Sequence, residues 1–286
     1  MAIPIVERPI LASSSETPYL SKLLNFPESE ILSVWESLPN DPNCYKLEPE
    51  FRLRSRCLAG LTNFPNIGGN HETRPKLESA GKEVFVEANW ITDELIATGY
   101  PKAGKIRNHY WYMVHSLLKE NRAVFLVNFM HGGDISPYGG WFFPTEEEPE
   151  IEIEVKSFDG SVSLVFQEDR EEWHKYAYNM NGIPLSLFHY PTWKDHGEGE
   201  EKIVIDLIKE LYISIKGAIN PAIVLNCRAG VGRTGTFAIL YYFYSLTQEK
   251  TTLYKEDFNL DAIQKKLLNI VLQGGMFSSF RLNNNL

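Results

Sequence analysis

The sequence predicts an α/β domain in which a twisted, mixed central sheet is flanked by helices. An apolar, β-branched run at residues 123–128 follows a segment with helical spacing at 106–114, a pattern typical of a buried strand covered by a helix. Alternating polar and apolar residues at 151–155 and 162–166 predict half-exposed antiparallel strands. A short apolar run at 223–225 leads through a glycine-rich loop into an apolar helix. We therefore expect buried and half-exposed strands in one mixed sheet.

Composition limits the classes of function. The chain has 286 residues and 43% hydrophobic residues, enough for one large domain with an extension or for two small domains. Its 28 basic and 37 acidic residues give a net charge of −9, which disfavours nonspecific binding to nucleic acid or to anionic membranes. The three cysteines have neither paired spacing nor metal-type spacing, so we expect reduced thiols, no disulfide framework and no metal site.

The first part of the chain predicts an extension ahead of the main domain. Residues 1–20 are rich in Pro, Ser and Thr, which is typical of a flexible lead-in, and apolar residues at helical spacing follow at 31–35. We expect residues 1–64 to be partly flexible and partly helical, and residues 65–286 to form the domain. No signal peptide or membrane-spanning stretch is recognised, which predicts a cytoplasmic, reducing location. Export as an effector through an N-terminal signal without a recognisable pattern is the open alternative.

The remaining elements of the domain follow from periodicity and turn residues. Asp159-Gly160 is a typical hairpin turn and predicts the reversal between the two alternating strands. The segment at 237–246 is apolar on every side, so we expect it to be the most buried helix of the domain. The other predicted element is an amphipathic helix at 201–212.

One loop carries a possible anion site. Cys227 lies two residues after the apolar run at 223–225, Gly230 and Gly232 follow, and Arg233 begins the next predicted helix. A strand, a tight loop and a helix N-terminus in this order point backbone N–H groups into one concavity, which favours a phosphate group. An arginine at this place can bond two phosphate oxygens, and the positive field favours the thiolate of a cysteine over the thiol. The alternative for a cysteine at the end of a buried strand is a small core residue.

The spacing within that loop resembles a known signature. Five residues separate Cys227 from Arg233, and Thr234 follows, as in the Cys-x5-Arg-Ser/Thr signature of the protein tyrosine phosphatase superfamily. The resemblance implies that Cys227 is the nucleophile, that Arg233 binds phosphate and that Thr234 eases departure of the thiolate. Asn226 stands where the family has a His that orders the loop, which predicts weaker stabilisation of the thiolate. The residues implied to surround the phosphate, which with Cys227 form the phosphate loop, are Arg228, Ala229, Gly230, Val231, Gly232 and Arg233.

A second segment resembles the mobile loop that carries the general acid of this family. Trp193-Lys194-Asp195 matches the family's Trp-Pro-Asp, with Lys in place of Pro, and Gly197 follows two residues later. A phenolic oxygen leaves poorly as an anion, so a carboxylic acid must protonate it as the bond to phosphorus breaks. The resemblance gives this role to Asp195, with Trp193 as an anchor and Gly197 as a flexible exit. We call residues 193–197 the acid loop. The alternative is a surface Asp in a turn beside a core Trp.

Two further segments depart from the family. Residues 271–279 resemble the loop whose last Gln positions the hydrolytic water, but Ser278 or Ser279 stands at that place. Arg74 matches the arginine of the segment that recognises the substrate ring, whereas Pro75 replaces the tyrosine that stacks on phosphotyrosine. Ser278, Asn226 and Trp193 are therefore expected only to support the two loops.

The resemblance, which covers about residues 65–280, implies a phosphatase catalytic domain that hydrolyses phosphate monoesters through a cysteinyl-phosphate, without metal or cofactor. Phosphotyrosine in a protein is the leading substrate, because the order and spacing of the elements match the tyrosine-specific branch. A phosphoinositide or inositol phosphate is the first alternative, since Arg228 adds positive charge and the stacking tyrosine is absent. An inactive fold that binds phosphoproteins is the second, because Asn226, Lys194 and the missing Gln depart from the pattern.

Overall fold

A computed structural model describes residues 73–156, 158–195, 197 and 199–249. In chain order the elements are β1 (Leu77–Ser79), β2 (Lys82–Val84), β3 (Ala88–Trp90), β4 (Leu95–Thr98), α1 (Lys105–Lys119), β5 (Val124–Asn128), two short 3-10 helices (Gly132–Asp134 and Ser136–Tyr138), β6 (Glu150–Val155), β7 (Phe158–Asp169), β8 (His174–Met180), β9 (Ile183–His189), α2 (Glu201–Ile215), β10 (Ala222–Asn226) and α3 (Gly232–Glu249).

Eight strands form one mixed sheet in the order β3-β4-β10-β5-β9-β8-β7-β6, and β1 with β2 forms a separate hairpin. The four central strands, β4, β10, β5 and β9, are parallel to one another. The outer strands are antiparallel to their neighbours. Parallel strands need helical crossovers and are buried on both faces, whereas antiparallel strands tolerate one wet face. The predicted fold class, a mixed sheet with flanking helices, is confirmed.

The two faces of this sheet carry separate apolar clusters. Leu126 and Val224 belong to the cluster that contains the buried side of α1, where Trp111 is fully buried. Ile223 and Leu225 belong to the cluster that contains α2 and α3. Because successive strand residues point to opposite faces, β10 packs against helices on both sides, and all five of its residues are buried. Each fully buried large apolar side chain contributes about 1.5–3 kcal/mol, so burial on both faces holds β10 firmly in the sheet.

The predicted position of one hairpin turn is wrong. Asp159 and Gly160 lie inside β7, paired with Glu154 and Ile153, and the chain reverses between Val155 and Phe158. A Cβ at Gly160 would lie 2.7 Å from the side-chain nitrogen of Asn181 and 2.7 Å from the ring of Phe158. The glycine therefore marks a close approach of neighbouring side chains to the strand, which a sequence pattern does not distinguish from a turn.

The expectation that residues 237–246 form the most buried helix is also wrong. Leu240 is 43% exposed, and Tyr242 and Tyr244 are only partly buried. Tyr244 packs against Tyr212 of α2 with ring centroids 5.5 Å apart, so the aromatic side of α3 covers its neighbour near the surface. The first turns of α3, with Thr234 and Phe237 at 0% exposure, are the buried ones.

Several predictions lie outside the described residues. These are the extension at 1–64 and its boundary with the domain at 65–286, the segment at 271–279 with Ser278, and the two other cysteines, Cys44 and Cys57. They stay predictions. No helix in the described part of the chain is both long and apolar enough to cross a membrane.

Candidate active site

Cys227 lies at the carboxyl edge of the parallel strands, directly after β10. Its side chain is 3% exposed and belongs to the cluster of apolar residues that also contains Val231 and Phe237. In open sheets with parallel strands, ligands bind at this edge, where the loops after neighbouring strands meet. The end of β10 therefore places the thiol at the bottom of a site to which three other strands can contribute.

Gly230 is the residue that lets the phosphate loop fold back against β4. Its φ of +73° lies in the left-handed region. A Cβ at this position would lie 2.5 Å from the carbonyl carbon of Thr98, so the backbones touch directly. The N–H of Tyr100 also donates to the carbonyl of Arg228 over 3.1 Å. Gly232 has no positive φ, and a Cβ there would meet nothing within 4 Å.

Four consecutive backbone N–H groups of the phosphate loop have no acceptor within the described chain. In the described chain, the N–H groups of Ala229, Gly230, Val231 and Gly232 donate to no acceptor. The helix α3 begins at Gly232, and Gly235 N–H donates to Val231 O over 2.8 Å. Unused donors beside a helix N-terminus favour an anion, of which phosphate is a typical example.

Arg233 links the phosphate loop to the acid loop. Its side chain is 5% exposed, and Nη1 donates to the carbonyls of Phe129 and Trp193, both over 2.8 Å. Nη2 donates to Oδ1 of Asp195 over 3.0 Å. The carbonyls of Phe129 and Trp193 thus orient the planar guanidinium, and its Nη2 edge faces Asp195. A phosphate group entering the site would compete with Asp195 for that edge.

The acid loop is a tight turn closed by its own tryptophan. The indole N–H of Trp193 donates to the carbonyl of Gly197 over 3.0 Å, and Gly197 N–H donates to the carbonyl of Lys194 over 3.1 Å. Trp193 is 4% exposed and meets the ring of Phe129 edge to face at 5.5 Å. Lys194 points to solvent, so a lysine in place of proline does not bury a charge.

Two arginines hold the carboxylate of Asp195 over the phosphate loop. Its Oδ2 accepts from Nη1 of Arg228 over 2.9 Å, while Oδ1 faces Arg233. Nε of Arg228 donates to the hydroxyl of Tyr138 over 3.1 Å. The hydrogen bond to Tyr138, followed by the one to Asp195, raises the pKa of Arg228, which keeps this guanidinium charged. The Asp195 side chain is 26% exposed, so it lies at the boundary between the site and solvent.

Sequence reasoning missed several residues of this site. Asp134 brings its Oδ2 to 3.7 Å from Nη1 of Arg233, a second carboxylate beside the same cation. Tyr138 supports Arg228, and the carbonyl of Phe129 supports Arg233. The signal for Asp134 is its place in the loop after a buried central strand, where the carboxyl edge collects functional groups. A backbone carbonyl gives no such signal.

Other predicted residues are placed with less direct contacts. Thr234 is fully buried, and its hydroxyl forms no hydrogen bond with the described chain, the sulfur of Cys227 included. Asn226 is fully buried and donates from Nδ2 to Oδ1 of Asn128 over 2.7 Å. Ser278 lies outside the described residues. Within the described ranges, no group of three or more His, Cys, Asp or Glu side chains is placed to hold a metal ion.

Comparisons with known proteins agree with this geometry. The family model described as "Protein-tyrosine phosphatase" matches residues 62–269. Tyrosine-protein phosphatase non-receptor type 2 of Rattus norvegicus is 27% identical over 207 residues, which cover 67% of this chain and 46% of the rat protein. Tyrosine-protein phosphatase 3 of Schizosaccharomyces pombe is 26% identical over 265 residues, which cover 87% of this chain and 84% of that protein.

A third similar protein is receptor-type tyrosine-protein phosphatase eta of Mus musculus, with 36% identity over 202 residues, 67% of this chain and 16% of the mouse protein. This chain spans about half the length of the non-receptor type 2 relatives that it matches. The family match itself extends over well more than half of this chain and includes every described residue of the site. The chain belongs to the protein-tyrosine phosphatase family.

Proposed function

We propose that this protein is a cysteine-dependent phosphatase that hydrolyses phosphotyrosine in proteins through a cysteinyl-phosphate. The observation that carries the proposal is the convergence on Arg233. The buried guanidinium of Arg233 contacts Asp195, the carbonyl of Trp193 and the carbonyl of Phe129 after β5. Arg233 itself lies in the first turn of the helix that follows Cys227. Nucleophile, phosphate ligand and general acid are thereby brought to one edge of the sheet.

In the first step, the thiolate of Cys227 attacks phosphorus and the bond from phosphorus to the tyrosyl oxygen breaks. Arg233, once phosphate replaces Asp195 at its Nη2 edge, and the unused N–H groups of residues 229–232 stabilise the charge on the equatorial oxygens. Asp195, in its protonated form, gives its proton to the leaving oxygen. The products are a free tyrosine hydroxyl and a cysteinyl-phosphate.

In the second step, water attacks the cysteinyl-phosphate. Asp195, now ionised, takes a proton from that water, and Cys227 leaves as the thiolate with inorganic phosphate as the product. The buried hydroxyl of Thr234, in the first turn of the helix after the loop, is the group that we propose to ease departure of the sulfur. Arg233 remains bonded to the phosphate oxygens through both steps.

The choice of phosphotyrosine rests on the relatives, whose names describe tyrosine-protein phosphatases. The phosphoinositide alternative rests on the positive charge of Arg228 and on the absence of the stacking tyrosine. That guanidinium is engaged by Tyr138 and Asp195, which leaves less of its charge for a second phosphate. An inactive phosphoprotein-binding fold is not favoured either, because Cys227, Arg233 and Asp195 are all present and Arg233 contacts Asp195.

The test is turnover of a substrate panel with EDTA present. We expect para-nitrophenyl phosphate and phosphotyrosine peptides to be hydrolysed, and phosphoserine peptides and phosphoinositides to be hydrolysed far more slowly. Cys57→Ser serves as a control, because Cys57 lies outside the Cys-x5-Arg segment of the sequence. Absence of turnover by the wild-type chain, with intact folding, would refute the enzymatic proposal, and preferred hydrolysis of phosphoinositides would refute the substrate class.

A further inference from the structure

Beneath the phosphate loop, a row of buried polar side chains crosses the four parallel strands. The last residues of these strands pair directly across the sheet: Thr98 with Asn226, Asn226 with Asn128, and Asn128 with His189. Their side chains are between 0% and 4% exposed. Residues directly across from each other point to the same face, so these groups lie side by side on the face covered by α1. The mechanism above uses none of them directly.

Within this row, Asn128 fixes the orientation of Asn226. Oδ1 of Asn128 accepts from Nδ2 of Asn226 over 2.7 Å and from the backbone N–H of Met130 over 3.2 Å. Because a backbone N–H can only donate, the atom that it meets is the oxygen of the Asn128 amide, and the Asn226 atom opposite must be nitrogen. The two contacts leave one orientation for each amide.

The chain after Asn128 contacts both ends of the phosphate loop. The N–H of Phe129 donates to the carbonyl of Asn226 over 2.9 Å, at the residue before Cys227. The carbonyl of Phe129 accepts from Nη1 of Arg233 over 2.8 Å. The side chain of Asn128 and the backbone of Phe129 therefore hold the residue that precedes the nucleophile and also the guanidinium that binds phosphate.

This arrangement is not explained by stability alone. Oδ1 of Asn226 and Nδ2 of Asn128 are buried and have no hydrogen-bond partner in the described chain. Leaving such groups unpaired costs free energy, and two apolar residues of similar size would avoid that cost. A buried polar pair can instead select one geometry among several. Here the pair of Asn128 and Asn226 fixes the end of β10, which directly precedes Cys227.

We propose that Asn128 is a positioning residue for the phosphatase reaction, acting through Asn226 and the Phe129 backbone to aim Cys227 and Arg233 at the phosphate. The proposal rests on the function proposed above. Asn128 itself touches neither substrate nor the reacting atoms. Its effect is to hold the end of β10 in one position, because a small displacement of a nucleophile costs much of the rate.

The test is a double-mutant cycle of Asn128→Ala and Asn226→Ala. We expect each single variant to lower kcat for para-nitrophenyl phosphate by about tenfold, with a change in KM of less than about threefold, because phosphate still meets Arg233 and the loop N–H groups. The double variant should lose no more than about threefold beyond either single one, since the two side chains act as one unit. Multiplied losses in the double variant would overturn the proposal.

A second readout does not need turnover. The pH dependence of iodoacetate labelling at Cys227, followed on the peptide by mass spectrometry, should rise at higher pH in Asn128→Ala than in the wild type, because the thiolate is less well placed among the loop N–H groups. If the wild type itself does not turn over substrate, the proposed function fails while this labelling comparison still tests Asn128. An unchanged labelling profile together with unchanged kcat would overturn the positioning role.

The matched control is Asn89→Ala on β3. Asn89 is also buried, at 6% exposure, and donates to the hydroxyl of Thr73 over 3.0 Å, and its strand is separated from β10 by β4. This variant should lower the melting temperature without changing kcat or the labelling profile. If Asn128→Ala does not fold, the double variant Asn128→Leu with Asn226→Leu removes both buried amides at similar volume. We expect it to fold and to lose kcat, and wild-type kcat in this variant would overturn the proposal.

Discussion

The phosphate loop and the acid loop meet at Arg233, but they are held in different ways. The phosphate loop follows a strand buried at all five residues, and its backbone rests on the end of β4 through Gly230. The acid loop follows β9 and is held mainly by side chains, namely the indole of Trp193 and the two arginines that contact Asp195. The first loop is fixed by the core of the fold along its backbone, and the second by one buried tryptophan and a few polar contacts.

This difference bears on the chemistry. A site for the attacked phosphate must be in place before substrate arrives, since donors that have to reorganise during reaction stabilise it less. A loop that carries a general acid must instead open to admit substrate and close over it. The few contacts of the acid loop suit such movement. Loss of Cys227 or Arg233 from the phosphate loop should therefore cost more of the reaction than loss of Asp195 from the acid loop.

The largest effect is expected for Cys227→Ser. A serine hydroxyl is almost fully protonated at neutral pH and has no base placed beside it, so turnover of every aryl phosphate should fall to background. Binding of phosphate should persist, because Arg233 and the loop N–H groups are unchanged. Steady-state turnover and isothermal titration with phosphate measure the two quantities. Appreciable residual turnover in a clean preparation would contradict the covalent step.

Arg233→Lys is expected to have the next largest effect, because it disturbs both loops at once. A lysine supplies a point charge in place of a planar fork and cannot contact Phe129 O, Trp193 O and Asp195 together. We expect kcat/KM to fall by about a hundredfold or more, as for loss of a donor to a developing oxyanion. Kinetics like those of the wild type would show that the reaction does not depend on these contacts of Arg233.

Asp195→Asn tests the contribution of the acid loop separately from that of the phosphate loop, and its expected effect comes next in size. Loss of a general acid costs about a hundredfold, and the cost shrinks as the leaving group needs less protonation. We therefore expect a large loss with phenyl phosphate and a small one with dinitrophenyl phosphate. A leaving-group series measured by kcat/KM provides the test. Equal losses across the series would remove Asp195 from the acid role.

The sequence predicted the two loops better than their support. Cys227, Arg233 and Asp195 lie in local segments that resemble family motifs, and such segments need no knowledge of which strands are neighbours. Asp134 and Asn128 join the site only because β5 lies beside β10 in the sheet, an order that periodicity does not contain. Their contributions depend on tertiary placement, so each residue type in isolation reads as an ordinary loop or strand-end position.

The two wrong fold predictions have physical causes of the same kind. The Asp159-Gly160 pair predicts a turn, yet Gly160 accommodates the side chains of Asn181 and Phe158 inside a strand. The aromatic run of α3 predicts a helix buried on every side, yet Tyr244 shields α2 near the surface. A glycine or an aromatic residue has more than one use, and the neighbours that decide among them are distant in the chain.

Gly230→Ala tests how far the phosphate loop depends on the end of β4. An alanine at φ +73° is strained, and its Cβ would meet the Thr98 backbone at 2.5 Å, so either the loop or β4 must move. We expect a loss of about tenfold or more in kcat/KM together with lower thermal stability. Gly232→Ala is the matched comparison, since its Cβ meets nothing within 4 Å, and it should lose much less. Equal losses would contradict the steric account.

The smallest expected effect concerns the pH dependence of the free energy of unfolding, to which His189 at the end of β9 contributes. His189 ends β9 and is fully buried beside the rings of Trp141, Phe143, His174 and Tyr176, and Nε2 donates to the carbonyl of Met130 over 3.0 Å. Burial lowers the pKa of His189 to about 4, opposed by the bond to Met130 and assisted by the nearby His174. Asn128 and Asn226, in the same row, carry no charge at any of these pH values. Only the β9 end of the row titrates.

A histidine whose pKa is lower in the folded state than in the unfolded one stabilises the fold fully above the unfolded pKa of about 6.5 and loses that contribution as pH falls toward 4. The total is about 3 kcal/mol, of which about 2 kcal/mol is lost between pH 7.5 and 5.0. In His189→Gln the amide can keep the bond to Met130 O without titrating, so its free energy of unfolding should fall less over this interval. Urea unfolding of both proteins at the two pH values measures the difference. The pKa values of His109 and His115 are also lowered by burial, but both residues remain in both proteins and cancel in the comparison. An equal fall in the free energy of unfolding for the two proteins would show that His189 does not contribute to the loss of stability in acid.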